Sequence, residues 1–232
     1  MFPPLRLREF VFGQPNRIGG EHMPDAALDA DFAADLAALR AAAHAREWSA
    51  AQVSLARLVQ SLPFFAALSA VIEGFTAFLP TFQHDYPAAD YRSGLPTQLL
   101  LGILNYGFAP DNLPDTAIAD YDAPGAAQFI HAVLELARAA QKEREPIERV
   151  ELLVSAAANQ IVAALSESYY RRFPDDHLRV RANRFDPDSG DYSDPDAARI
   201  PLLLWLDPVV AELDTQLWLA LADRLERAYH AQ

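Results

Sequence analysis

The side chains with the most chemical potential gather in one tract, residues 171–196. Five arginines, Arg171, Arg172, Arg179, Arg181 and Arg184, fall within fourteen residues. Five aspartates, Asp186, Asp188, Asp191, Asp194 and Asp196, follow within eleven. Clustered guanidinium groups suit bidentate recognition of a carboxylate or phosphate. The arginines are therefore a candidate docking site for an anion or an acidic partner. Carboxylates around a glycine turn suit calcium, which takes roughly six to eight oxygens. That second chemistry is the weaker alternative. An EF-hand frame laid on Asp186 puts Gly190 at its fifth position and Ala197 at its twelfth, where carboxylates belong. No metal and no cofactor is expected. Opposed charges in adjacent segments also neutralise each other, so internal pairing is the reading that any ligand must beat.

Outside that tract the chemistry thins. His131 and Glu135 stand one helical turn apart, as metal ligands can, but Arg138 and Lys142 continue the same stripe. The pattern reads as a solvated ion-pair face. Asn159 and Gln160 lie in the longest apolar segment, where Asn159 faces away from the main apolar side; exposure or a packing hydrogen bond is expected of it. His44 and the dipeptide His84-Asp85 resemble in part the His…His-Asp…Asp pattern of HD-type phosphohydrolases. Here the dipeptide runs into Tyr86-Pro87 and no later aspartate falls clearly on a helix, so the rigid ligand set that such chemistry needs is missing. There is no GxGxxG, P-loop, GxSxG, HExxH or Glu-x-x-His pair. The absence of cysteine removes thiolate nucleophiles, thiolate metal sites and disulfides.

The elements that must position these residues are mostly helical. Phe32, Leu36, Leu39 and Ala43 recur at helical spacing across 25–47. Ser49 and Gln52 form a capping box that starts a second helix, with Trp48 and Val53 as its hydrophobic staple. A third helix is expected at 63–79, stopped by Pro80. A short fourth follows at 96–106, ended by Gly107. A fifth spans 124–144 and a sixth 146–173. The sixth is apolar nearly all round, which marks a central helix. The last runs over 208–231, capped by Asp207, with Val210, Leu213, Leu217 and Leu221 inward. Only 178–185 alternates with period two, and 199–206 could pair with it as a hairpin, though Pro201 restricts that segment and a short helix is the alternative.

The expected fold is therefore mainly α: an irregular bundle of about seven helices around a central long helix at 146–173, with a small β-hairpin or loop excursion at 178–206. Residues 1–24 read as an extended N-terminal arm, and 25–232 as one helical domain carrying the charged excursion 174–206. The chain has 232 residues, enough for a core without staples. Its net charge of −13 disfavours nonspecific nucleic-acid binding. Residues 62–82 carry only Glu73 as a charge, but Pro63, Gly74 and Pro80 interrupt them, so a buried helix is expected there and no membrane role. With no signal-like N-terminal run, a cytoplasmic location is expected. The functional expectation is a non-enzymatic interaction protein: an adaptor, regulator or assembly subunit, with a protein partner or self-association. The competing expectation is a helical-bundle enzyme or small-ligand binder with a pocket between the third, fifth and sixth helices.

Overall fold

A computed structural model describes residues 25–85, 91–111, 113, 123–188 and 190–232. Residues 1–24, read as an arm, and most of residues 108–123 lie outside the described residues. Nine α-helices occur among the described residues: α1 (Asp25–Ala45), α2 (Trp48–Ser61), α3 (Phe64–Asp85), α4 (Tyr91–Tyr106), α5 (Ala126–Ala139), α6 (Pro146–Arg172), α7 (Pro174–Ala182), α8 (Ile200–Leu206) and α9 (Pro208–His230). One antiparallel hairpin, β1 (Phe185–Asp186) with β2 (Asp191–Tyr192), separates α7 from α8. The fold is mainly α with a small hairpin, as the sequence indicates.

The 27-residue α6 is the spine. It packs against α5 most extensively, and against α2, α9 and α3 on its other sides. Alanine explains how closely α5 and α6 approach. Ala132, Ala137 and Ala139 of α5 and Ala156, Ala157 and Ala163 of α6 are all buried in the shared core. Gly125, before α5, adopts φ 77° and lies so close to α6 that an added Cβ would stand 2.2 Å from the Ala163 carbonyl oxygen. A side chain there meets both a backbone clash and a left-handed conformation.

Several boundaries differ from the sequence reading, each for a local reason. The capping box is not used: α2 starts at Trp48, Ser49 lies inside it, and Glu47 caps it without a side-chain bond. Arg46 instead makes the corner in the left-handed region, φ 56°, with Glu47 N–H donating to Ala42 O at 2.9 Å. Helix α3 runs through Pro80 to Asp85. Pro80 is exposed, so the hydrogen bond it removes is on the solvent side, while Phe78 and Phe82 each pack 5.0 Å from the Phe129 ring. Helix α4 begins five residues ahead of Pro96, at Tyr91, and ends as expected at Gly107, whose φ is 70°. Residues 86–90, between α3 and α4, lie outside the described residues.

The segment read as strand, 178–185, is mostly helix. Pro174 opens α7, Asp175 and Asp176 occupy its first turn, and Arg179 and Arg181 its last. Those charges complement the helix dipole at both ends. None of its nine residues is buried, so no core face selected the period of two. The segment 199–206 is the end of a 3-10 turn (Ala197–Arg199) followed by α8, with Pro201 in the first turn of α8. Pairing is thus confined to Phe185 with Tyr192 and Asp186 with Asp191. Among the described residues two helices, α3 and α6, are long and apolar enough to cross a membrane by length and composition. Both sit inside the bundle with about half of their apolar windows buried (44% and 56%), as core helices do.

Candidate functional site

The charged tract folds into a self-paired excursion. Arg172, in the last turn of α6, donates two bonds to Asp207, Nη1 to Oδ2 at 3.1 Å and Nη2 to Oδ1 at 2.7 Å. Asp207 also caps α9, accepting from the N–H groups of Val209 and Val210 at 3.0 Å each. The Arg172 guanidinium, helped by these N–H donors, holds the Asp207 carboxyl below its usual range. Arg179 of α7 makes a matching fork to Asp194, at 3.0 and 3.1 Å. The Ala197 N–H, and then Arg179, lower the Asp194 pKa. Arg171 pairs with Glu167 one turn back. Arg184 turns onto the backbone carbonyls of Arg181 and Asn183.

The five arginines are spread over three elements. Arg171 and Arg172 belong to α6, Arg179 and Arg181 to α7, and Arg184 to the hairpin approach. Of the aspartates, Asp186 and Asp191 face each other across the hairpin. Asp186 Oδ1 accepts from the Asp188 N–H at 2.9 Å, closing the turn, while Asp194 is held by Arg179 and Ala197. Among the described residues no group of three His, Asp or Glu is arranged to hold a metal ion.

A second arrangement seats the excursion on the bundle, and it escaped sequence reading. The face of α9 that enters the core is Val210, Asp214, Trp218, Leu221 and Leu225; Leu213 and Leu217 are only half-buried. Asp214 is therefore a carboxylate in the core, 1% exposed. Trp48 donates its indole N–H to Asp214 Oδ2 at 3.1 Å, and Arg46 Nε approaches that oxygen at 3.6 Å. Asp214 Oδ1 and Trp218 Nε1 are buried without a hydrogen bond. Burial pushes the Asp214 carboxyl up, against the opposing pull of Trp48 and Arg46. Arg46 Nη2 also donates to Trp205 O of α8 at 2.8 Å. Trp48 packs edge-on against both Trp205 and Trp218, with centroids 5.4 and 5.3 Å away. One left-handed arginine at the α1–α2 corner thus ties α8 to α9.

The outer side of α8 is apolar. Ile200 and Leu204 anchor it in the core, whereas Leu202, Leu203 and Leu206 are 60%, 50% and 74% exposed. Pro201, Pro208 and Val209 extend the same exposed stretch. The core beneath it is otherwise continuous.

A polar cluster joins α5 to α6. Glu135 is buried and accepts from Ser155 Oγ at 2.8 Å and from Asn159 Nδ2 at 2.9 Å. His131 Nε2 lies 3.3 Å from Glu135 Oε1, and that interaction raises the His131 pKa. The stripe read as wholly solvated is thus half interior: Glu135 turns inward to bind α6, and only Arg138 and Lys142 remain outside. Ser155 and Asn159 both donate to the Glu135 carboxylate, so the cluster clamps α5 to α6. Glu73, the lone charge of residues 62–82, is exposed and paired with Arg227 at 3.0 Å. No family model, curated protein or solved structure matches the chain.

Proposed function

We propose that this chain is a non-catalytic assembly subunit that docks through the apolar ridge of α8 and the first turn of α9. The observation that carries the reading is the exposure of Leu202, Leu203, Leu206 and Val209 on an element fixed from behind by Arg46, Ile200 and Leu204. A contiguous apolar ridge on a rigid support is the usual core of a protein interface. The occupant proposed is a second copy of the chain. Two ion pairs beside the ridge, Arg172 with Asp207 and Arg179 with Asp194, are satisfied within the chain, which favours an apolar occupant over a strongly charged one. A two-fold contact would lay leucine against leucine and keep these pairs at its rim.

Sedimentation velocity over a concentration series tests this. The full chain should associate, and Leu206→Glu should return it to a monomer while its far-UV circular dichroism is unchanged. A chain that stays monomeric, both complete and without residues 1–24, overturns the reading. A monomer that associates only after removal of residues 1–24 would assign the ridge to the chain's own arm.

A further inference from the structure

A groove of about 570 Å³ opens at the opposite end of α6, between the end of α2, the start of α3 and the first turns of α6. Val59, Leu62, Ile147 and Val150 form apolar walls, and Arg144 and Arg149 are the charged groups that line it. Its size suits a small organic ligand.

Arg149 is the informative residue. Its Nε donates to Arg144 O at 3.2 Å, and its Nη2 donates to Gln141 O and Lys142 O at 3.1 Å each. Every one of these acceptors is a backbone carbonyl. The guanidinium also stacks over Phe64, 4.4 Å from the ring centroid. It is therefore fixed in position but not neutralised: no carboxylate pairs with it among the described residues. Arg144 is held by Gln141 Oε1 at 2.9 and 3.1 Å and pairs with Glu148 at 3.5 Å, so of the two arginines only Arg149 lacks an acid partner among the described residues. This contrasts with the excursion, where Arg172 and Arg179 each grip a carboxylate with two bonds. In a chain of net charge −13, an arginine held ready without an acid partner is a recognition feature. The N-terminus of α6, which has no side-chain cap, adds a positive dipole end nearby.

We infer that this groove binds a small amphipathic carboxylate, with the apolar body along Val59, Ile147 and Val150 and the carboxylate on the free Nη1 edge of Arg149. The site is independent of the α8 ridge.

Calorimetric titration with decanoate, and with decanamide as its uncharged counterpart, tests the inference on the full chain. Decanoate should bind saturably at one site, and the amide more weakly. Arg149→Gln should weaken decanoate about tenfold or more while leaving amide binding unchanged, as expected for loss of a charged hydrogen bond. Arg149 also holds the α5–α6 connection through the Gln141, Lys142 and Arg144 carbonyls, so Gln60→Glu on the exposed rim is the second variant. It adds a repelling charge without removing a structural bond, and should weaken decanoate but not the amide. Equal affinity for acid and amide, no saturable binding, or decanoate affinity unmoved by Gln60→Glu would overturn the inference.

Discussion

The α5–α6 pair and the α7–α8 excursion hold together by opposite means. Between α5 and α6 the contacts are alanine on alanine, with one buried carboxylate satisfied by Ser155 and Asn159. The excursion has little core of its own. No residue of its α7 is fully buried, each strand of its hairpin is two residues long, and arginine–aspartate forks span its gaps. Close packing resists any added atom, whereas exposed ion pairs are screened and individually weak. The two regions should therefore respond to different insults.

The sharpest break is steric. Gly125→Ala sets a Cβ against the Ala163 carbonyl at a positive φ. It should cost at least ~3 kcal/mol, read by urea denaturation, and a chain near its stability limit would not fold. Gly102→Ala is the control. Its Cβ would meet nothing within 4 Å in the interior of α4, so it should stabilise by roughly 0.5–1 kcal/mol. Equal losses in both variants would refute close approach as the cause.

The next effect lies at the seam between the regions. Asp214→Ala leaves the Trp48 indole N–H without its acceptor and should cost about 1–3 kcal/mol. Asp214→Asn keeps an acceptor and removes the buried charge. Because the folded pKa of Asp214 is raised above 3.8, the folded state takes up its proton first, so this group adds stability as pH falls from the folded pKa toward 3.8. Denaturation curves of the Asn variant should lack that rise. An unchanged profile would show that Asp214 titrates normally.

Smaller still is the response of the excursion. Arg179→Ala should speed amide exchange across 183–197 and leave exchange in α5 and α6 untouched, with a melting temperature lowered by no more than about 2 °C. A larger drop would make the fork part of the global fold. The smallest effect is at His131. Nuclear magnetic resonance titration should place its pKa above 6.5, and Glu135→Gln should return it toward 6.5. Its share of stability is complete below 6.5 and is lost as pH rises through the folded value.

Much of the helical frame was legible because periodicity over long segments is redundant. The spine at 146–173, the Asp207 cap and the Gly107 stop each rest on several residues that agree. Short elements carry no such redundancy. In Leu178–Ala182 the alternation of apolar residues and arginine suited a strand, but proline and aspartates at one end and arginines at the other settled a helix. Pro80 was read as a stop because a sequence does not show which side of a helix faces water. Asp214 was invisible for a related reason. A core aspartate makes sense only beside Arg46 and Trp48, which are more than 160 residues away in the chain. One signal was available: Asp214 continues the stripe from Val210 to Trp218, where an apolar residue would be expected.

The three tryptophans of this chain stand together at the junction of α2, α8 and α9, and neither α5 nor α6 contains any. Ultraviolet emission from the protein is consequently a local optical signal. It reports how α8 is seated around the Asp214 carboxylate, and a loosening between α5 and α6 would pass unseen by it. Any event on the outer surface of α8, at a distance of one helix diameter, is wired to a built-in chromophore that needs no label.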